Sequence, residues 1–329
     1  MANLKDIAKV LNVSVSTVSR ALNDSDEISP ARKEEVRAAA ESLGYRLHGR
    51  GGRSDPEWNC AGIIVPELTS EYYAELVHLA KERLAAKGFS CVVQLTDFQP
   101  AHMVEAVSAM RRIRVKCLLV VMDTEETLNE QILHAFSKSG LPILLITSKY
   151  YPLLEFDCIH LNEYSGIVTG IRHLQERGYT RIGCIGDDVS MNRVTIFKQV
   201  MKLLDLPTDP RMICIGKERF EAGGYLRMQQ MLALDQRPDA VFCCYDQMAI
   251  GAIHALDEAG LEIPRDMALL GFDNLSMSGY IGPGITTIDN SRQDMISVAV
   301  NVLTSHVDNP SASRQQIALR PTLVVRGSA

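Results

Sequence analysis

The sequence predicts an all-α helix-turn-helix headpiece joined to an α/β core of two doubly wound parallel-sheet subdomains. Three observations carry that prediction. Near the N-terminus, two short amphipathic helical patterns are separated by Asn12-Val13-Ser14, the length of the turn in a helix-turn-helix. From residue 60 onward, apolar runs alternate with amphipathic segments of about three turns, as in parallel sheets covered on both faces. The alternation comes in two successive sets, and 329 residues at 46 % hydrophobic composition can fill more than one core.

In the first helical pattern Leu4, Ile7, Ala8 and Leu11 share a face; in the second, Val15, Val18 and Leu22 do. Ser14, Ser16, Thr17 and Ser19 are short hydroxyl donors that reach phosphate oxygens without filling a groove. Arg20 is long enough to hold a guanine edge at O6 and N7 through its two-pronged guanidinium, and the Val15 methyls can read a thymine methyl. In a helix-turn-helix the second helix enters the major groove with its N-terminal residues against base edges. The same residues also fit a plainer arrangement, with Ser14 as the N-cap of a helix packed in an α-bundle. A third helix opens at Ser29-Pro30, cap then first helical position. Its Val36, Ala39, Ala40 and Leu43 face the first two helices, and Gly44 ends it.

The formal net charge of −6 hides an asymmetry: residues 1–53 hold nine Lys/Arg against seven Asp/Glu, leaving −8 on the remainder. The acidic remainder is not expected to coat nucleic acid, so the N-terminal domain is the candidate for contact with double-stranded DNA. Between the two lies 47–59, where Gly49, Gly51 and Gly52 each cost roughly 1 kcal/mol against a helix. This stretch reads either as a hinge touching phosphates through Arg50 and Arg53 or as a flexible linker with solvated charges. No run of 18 apolar residues and no signal-peptide pattern is present, so no membrane span and a cytoplasmic location are expected. The eight cysteines lack Cys-x-x-Cys spacing and lie mostly in apolar runs, as small hydrophobes; no metal or other cofactor is expected.

Strand candidates in the first set are 61–65, 91–95, 117–122, 143–147 and 159–162; in the second, 182–186, 212–215, 240–245 and 268–272. The intervening helices are 74–87, 104–114, 127–139, 167–177, 194–204, 225–234 and 248–259. A helix near 293–306 and strands 316–319 and 322–326 cross back to complete the two subdomains. Open parallel sheets bind ligands beyond the carboxyl ends of their strands, and two such sheets face each other across a cleft. The residues at those ends are therefore the candidate ligand contacts. Tyr72 or Tyr73 can stack on a sugar or base, Arg193 can grip hydroxyls or a carboxylate, and Asp246 and Asp273 can accept paired hydroxyls. For each aspartate the alternative is an N-cap of the helix that follows.

Catalytic motifs are missing: there is no Gly-x4-Gly-Lys-Ser/Thr loop, no His-Glu-x-x-His, no Gly-x-Ser-x-Gly and no Gly-x-Gly-x-x-Gly after a strand. Asp187-Asp188 reads as polar loop, and His173 and His254 as packed or surface residues. The chain is not expected to be an enzyme.

Leu4-Lys5-Asp6-Ile7-Ala8, the run from Val13 to Asn23, Ile28-Ser29-Pro30 and Leu43-Gly44-Tyr45-Arg46 together resemble the headpiece of the lactose/galactose-repressor (LacI/GalR) family of bacterial transcription regulators. Residues 62–329 are also similar to that family's core, of the type I periplasmic-binding-protein fold. The matches there include Gly62-Ile63-Ile64-Val65-Pro66, Asp246-Gln247-Met248-Ala249-Ile250-Gly251-Ala252 and Gly271-Phe272-Asp273-Asn274. The resemblance implies DNA contacts at Ser14, Val15, Ser16, Thr17, Ser19, Arg20, Asn23 and Tyr45. It also implies effector contacts at Tyr73, Arg193, Asp246 and Asp273, usually to a sugar or nucleobase-like metabolite, and a homodimer on a pseudo-palindromic operator.

The expected domains are 1–46, a 47–59 linker, and a 60–329 core whose subdomains are roughly 60–160 with 290–320 and 161–289 with 321–329. The chain departs from the family at several places. Ser54 stands where a minor-groove leucine is usual, Glu71 for proline, Tyr245 for asparagine, Ser148 for a cleft arginine beside Lys149, and Asn162-Glu163 for Asp-Asn. Three functions remain: an effector-controlled repressor, a metabolite-binding protein that no longer uses its headpiece, and a cytoplasmic enzyme on the same scaffold. Loss of small-molecule control is a variant of the first.

Overall fold

The computed structural model describes residues 3–22, 25, 27–43, 45, 59–122, 128–148 and 155–329. Packing divides the chain into two units, Met1–Trp58 and Asn59–Ala329.

The first unit holds α1 (Leu4–Val10), α2 (Val15–Leu22) and α3 (Pro30–Ser42). The Asn3 side chain accepts from the backbone of Lys5 and Asp6, while Asp6 accepts from the Asn3 backbone, a reciprocal cap that satisfies orphan donors of the first turn. Asn12 turns the chain between α1 and α2 at φ +52°, a left-handed conformation that asparagine tolerates. Ile7, Val18, Ala21, Leu22 and Val36 then meet in one small buried cluster. The apolar faces are those that the periodicity predicted, except that Val15, at the start of α2, is exposed and outside the cluster. Asn23, Gly44 and the stretch with Arg50, Arg53 and Ser54 lie outside the described residues.

The second unit carries two sheets. The first contains β1 (Cys60–Val65), β2 (Ser90–Leu95), β3 (Cys117–Met122), β4 (Ile143–Thr147) and β5 (Asp157–Leu161). The second contains β6 (Ile182–Asp187), β7 (Ile213–Gly216), β8 (Ala240–Cys243), β9 (Ala268–Phe272) and β10 (Thr286–Asp289). β11 (Gln316–Leu319) joins the first sheet beside β5, and β12 (Thr322–Val324) joins the second beside β10. The orders are β11-β5-β4-β3-β1-β2 and β12-β10-β9-β8-β6-β7, all parallel except for the antiparallel edge strand β12. Stripped of those last strands, both sheets repeat one doubly wound order.

The helices are α4 (Glu71–Ala86), α5 (Pro100–Arg112), α6 (Glu130–Ser139), α7 (Glu163–Glu176), α8 (Met191–Leu203), α9 (Phe220–Leu232), α10 (Asp246–Glu258) and α11 (Arg292–Asp308). Although α11 follows β10, its Met295, Ile296, Ala299 and Leu303 are buried in the core of the first sheet. Among the described residues the chain thus passes between the lobes at three places: β5 to α7, β10 to α11, and β11 to β12.

Several helices begin earlier than apolar periodicity predicted: α4 at Glu71 rather than 74, α7 at Glu163 rather than 167, α9 at Phe220 rather than 225. The first turns of α4 and α9 have no side-chain cap, and that of α4 buries Tyr72 and Tyr73. At α7 the Asn162 side chain accepts from Ser165 N at 3.0 Å. β7 begins one residue late because Pro210–Met212 forms a turn of 3-10 helix, and β12 ends at Val324 rather than 326.

Candidate functional site

Two places in the chain carry functional side chains. In the first unit, Ser14, Val15, Ser16 and Arg20 are exposed on α2 and its cap, with Thr17 and Ser19 half-buried and Val18 turned inward. The hydroxyls are organised before any partner arrives: Ser14 Oγ accepts from Thr17 N at 3.1 Å and lies 2.7 Å from Ser16 Oγ and 2.8 Å from Thr17 Oγ1. Arg20 Nη1 reaches Glu27 Oε2 at 2.8 Å, with both side chains exposed. Such an exposed pair contributes little stability, so the guanidinium exchanges partners at small cost. Tyr45 is half-buried against the three-helix cluster.

In the second unit, a cleft lies between the lobes at the carboxyl ends of the strands. Tyr72 and Tyr73 line it from α4, Ser148 from the end of β4, Glu163 from α7, Arg193 from α8 and Asp273 from the end of β9. It encloses about 520 Å³, including space open to solvent. Arg219, Phe220 and Tyr245 crowd it.

Arg193 is the hub. Its Nε donates to Glu163 Oε1 at 2.7 Å, Nη1 to the Cys244 carbonyl at 2.6 Å and Nη2 to Asp273 Oδ1 at 3.2 Å. Its guanidinium carbon stands 3.9 Å from the centroid of the Phe272 ring. Asp273 also accepts from Asn290 Nδ2 at 2.9 Å and holds a left-handed backbone, φ +101°, where β9 leaves the sheet. Arg292, at the start of α11, donates to the carbonyls of Asp273 and Asn274 and pairs with Glu75 of α4 at 2.9 Å. Through it the loop carrying Asp273 in one lobe is tied to the helix carrying Tyr72 and Tyr73 in the other.

A second cluster was not foreseen from the sequence. Asp187 is not loop but the fully buried last residue of β6, where it accepts from Val189 N, Ser190 N and Tyr245 Oη. A strand's last residue at a tight turn is enclosed by the turn it caps, whereas its neighbour Asp188 is exposed loop, as expected. Arg219, the N-cap of α9, stands 3.3 Å from Asp187 and 2.8 Å from Glu67 of the other lobe, against the Phe98 and Phe220 rings. Burial opposes its charge, but Glu67, Tyr245 and Asp187 outweigh that and raise its pKa. Burial likewise pushes the Tyr245 phenol up, reinforced by Asp187. All four missed residues had one weak signal, their place after a strand: Glu67 after 61–65, Asp187 after 182–186, and Arg219 and Phe220 after 212–215.

Asp246 does not line the cleft. It is the first residue of α10, fully buried, and accepts from Leu275 N at 2.9 Å, Ser278 Oγ at 2.5 Å and Thr287 Oγ1 at 2.6 Å. It binds the loop after β9 to its own helix rather than capping α10. Burial lifts its pKa to about 7 although those hydrogen bonds pull it down. Between the ordinary aspartate value and pH 7 the folded chain keeps a proton that the unfolded chain gives up. This contribution to stability is therefore complete at low pH and is lost as pH rises through 7. Urea unfolding of wild type and Asp246→Asn at pH 5 and pH 8 is expected to show a pH-dependent difference of about 3 kcal/mol, the part of the shift that lies between pH 5 and 7. Parallel pH profiles would remove the proton from Asp246.

A helix-turn-helix unit and a two-lobed α/β core with a polar, aromatic cleft define the architecture of bacterial DNA-binding regulators built on a periplasmic-binding-protein-like fold. Residues 3–47 match the bacterial regulatory proteins of the lacI family, and residues 171–329 match the periplasmic binding protein-like domain. The HTH-type transcriptional repressor PurR of Haemophilus influenzae (strain PittEE) is 30 % identical, over 100 % of this chain and 98 % of that protein. In fold the chain is similar to the Lac repressor dimer bound to operator and the anti-inducer ONPF (TM-score 0.70, 22 % identity, 99 % and 98 % of the two chains). It is similar also to the transcriptional regulator CelR in complex with cellobiose (TM-score 0.71, 21 % identity, 100 % of both chains). The chain belongs to the lacI family of bacterial regulatory proteins. Among the described residues no helix is long and apolar enough to cross a membrane.

Proposed function

We propose that the chain is a cytoplasmic repressor that binds a pseudo-palindromic operator as a homodimer through α2 and answers to a small metabolite, a sugar or related compound, in the interlobe cleft. The observation that carries this reading is the exposed face of α2 and its cap, where the hydroxyls of Ser14 and Ser16 and a weakly held guanidinium are presented to solvent. Ser14, Val15, Ser16, Thr17, Ser19 and Arg20 are the DNA-reading residues, with Asn23, Tyr45, Arg50 and Arg53 contributing at the flanks. One headpiece reads about four to five base pairs, too few to select a site in a genome, so two act together. The exposed apolar side chains of Tyr280 (87 %) and Met277 (49 %) on the second lobe suit contact with a second copy. In the cleft, Tyr72, Tyr73 and Phe220 supply faces for a ring, and Arg193 with Asp273 supplies hydrogen bonds for its substituents.

The test is binding to DNA upstream of the chain's own gene. Arg20→Ala is expected to lose about 1–3 kcal/mol of specific affinity and to relax preference at one base pair per half-site. An unchanged sequence preference would reject the role of Arg20. A second reading, repression without small-molecule control, is favoured by the Arg219–Glu67 pair and the crowding of the cleft. A metabolite panel decides between them, since a ligand of the native state raises its melting temperature.

A further inference from the structure

In a parallel sheet all strands start at one edge, and in the first sheet that edge is where the chain arrives from the headpiece. The Asn59 carbonyl accepts from Ser90 N at 2.8 Å, at the start of β2, and the Cys60 carbonyl accepts from Lys116 N at 2.7 Å, just before β3. The helices that lead into those strands end at the same edge, and they end in cations. Lys87 caps α4, Arg111 and Arg112 close α5, Arg114 follows, and Lys138 lies in the last turn of α6. All five are exposed, and none of the three arginines makes an ion pair among the described residues.

The corresponding edge of the second lobe is more mixed. There Arg181 lies 3.9 Å from Asp239, and Arg265 lies 2.9 Å from Glu262 and 3.0 Å from Asp266, so these two arginines are neutralised by neighbouring carboxylates, while Arg177 at the end of α7 and Lys202 in the last turn of α8 are exposed. Cations at helix ends complement the helix dipole, which accounts for Lys87 or Lys138. That does not account for Arg114, which stands beyond α5 in a left-handed turn at φ +61°. Nor does the fold demand basic helix ends, for α9 and α10 have none in their last turns.

We propose that Arg111, Arg112 and Arg114, with Lys87 and Lys138, form a second, sequence-independent phosphate-binding surface. It takes duplex DNA flanking the site that the headpiece holds. The net charge of −6 on residues 60–329 conceals it because the excess acid sits elsewhere. The surface rests on the reading of the chain as a DNA-binding protein, but not on the base contacts of α2.

The measurement is the salt dependence of full-length protein binding to a random duplex of about 40 base pairs, where log affinity falls by about 0.9 per log salt for each phosphate neutralised. The triple change Arg111→Gln, Arg112→Gln, Arg114→Gln is expected to flatten that slope by roughly 2 to 3 and to weaken binding at least about tenfold at low salt. The corresponding triple lysine variant is expected to keep the slope. Lys198→Gln with Lys202→Gln, on exposed positions of α8, is expected to leave it as in wild type. Melting temperature checks that each variant folds, and Arg114→Gln alone, flattening the slope by about 1, replaces the triple change if that melts early. A wild-type slope in the triple variant, or an equal loss in the α8 control, would overturn the surface. Arg20→Ala separates the two claims: it removes site preference and leaves the arginine contribution on random duplex intact.

Discussion

Replacing Arg193 with alanine is expected to destabilise the core by about 3–5 kcal/mol and to abolish any stabilisation by a cleft ligand. The reason is what remains behind. Glu163 and Asp273 are 3 % and 5 % exposed, and the guanidinium sits between them at 2.7 Å and 3.2 Å. Removing it strands two charges away from water and opens the contact with the Phe272 ring at the same time. Arg193→Lys is expected to recover only part of the loss, since an ammonium is a single point of charge and cannot hold Glu163, Asp273 and the Cys244 carbonyl at once. Urea unfolding of the full chain, followed by a probe in the second lobe, reads both variants. A cost below about 1 kcal/mol for alanine would mean that the carboxylates find other partners, and the hub would then be dispensable.

The second large effect is at Gly251, in the middle of α10. Judged as a helix residue alone, glycine is a weak choice, and alanine there gains about 1 kcal/mol of helix propensity. The packing reverses the sign. A Cβ at Gly251 would land on the carbonyl of Glu221 and 2.7 Å from Tyr225 N, both backbone atoms of α9. At the facing position, a Cβ on Gly224 would meet the carbonyl of Met248. The two helices touch backbone to backbone, so neither can yield by rotating a side chain. Gly251→Ala is expected to cost a net of about 2 kcal/mol or more by overpacking, seen as a lowered urea midpoint. It should also disturb the cleft, because Phe220 and Tyr245 stand at the N-terminal ends of these same helices. Any gain in stability would show that α9 and α10 separate freely.

The sign change at Gly251 marks the limit of what was legible in the chain. Periodicity located the strands of both sheets except β10, and the closing elements, to within a few residues, because each reports which of its own faces is buried; the four-residue β10 is too short to show a period. The alternation also predicted parallel sheets, and the residues after each strand gave Tyr72, Tyr73, Arg193 and Asp273, which the fold brings to one cleft. Asp246 follows its strand in the same way and yet is held by Ser278 and Thr287 instead. Position at a strand end does not say which way the carboxylate turns. The hinge prediction, resting on Ser54, Arg50 and Arg53, falls outside the described residues.

By itself, then, the sequence determined the headpiece pattern, the repeated α/β order and the strand ends on which a cleft is built, since these follow from local spacing of apolar and polar side chains. Only the tertiary structure decided that Arg219 meets Glu67 across the lobes, that Asp187 is enclosed, and that unneutralised arginines gather where the linker enters. Those outcomes depend on which distant elements become neighbours, and that is set by the winding of two sheets and their three crossings, not by any segment's own composition.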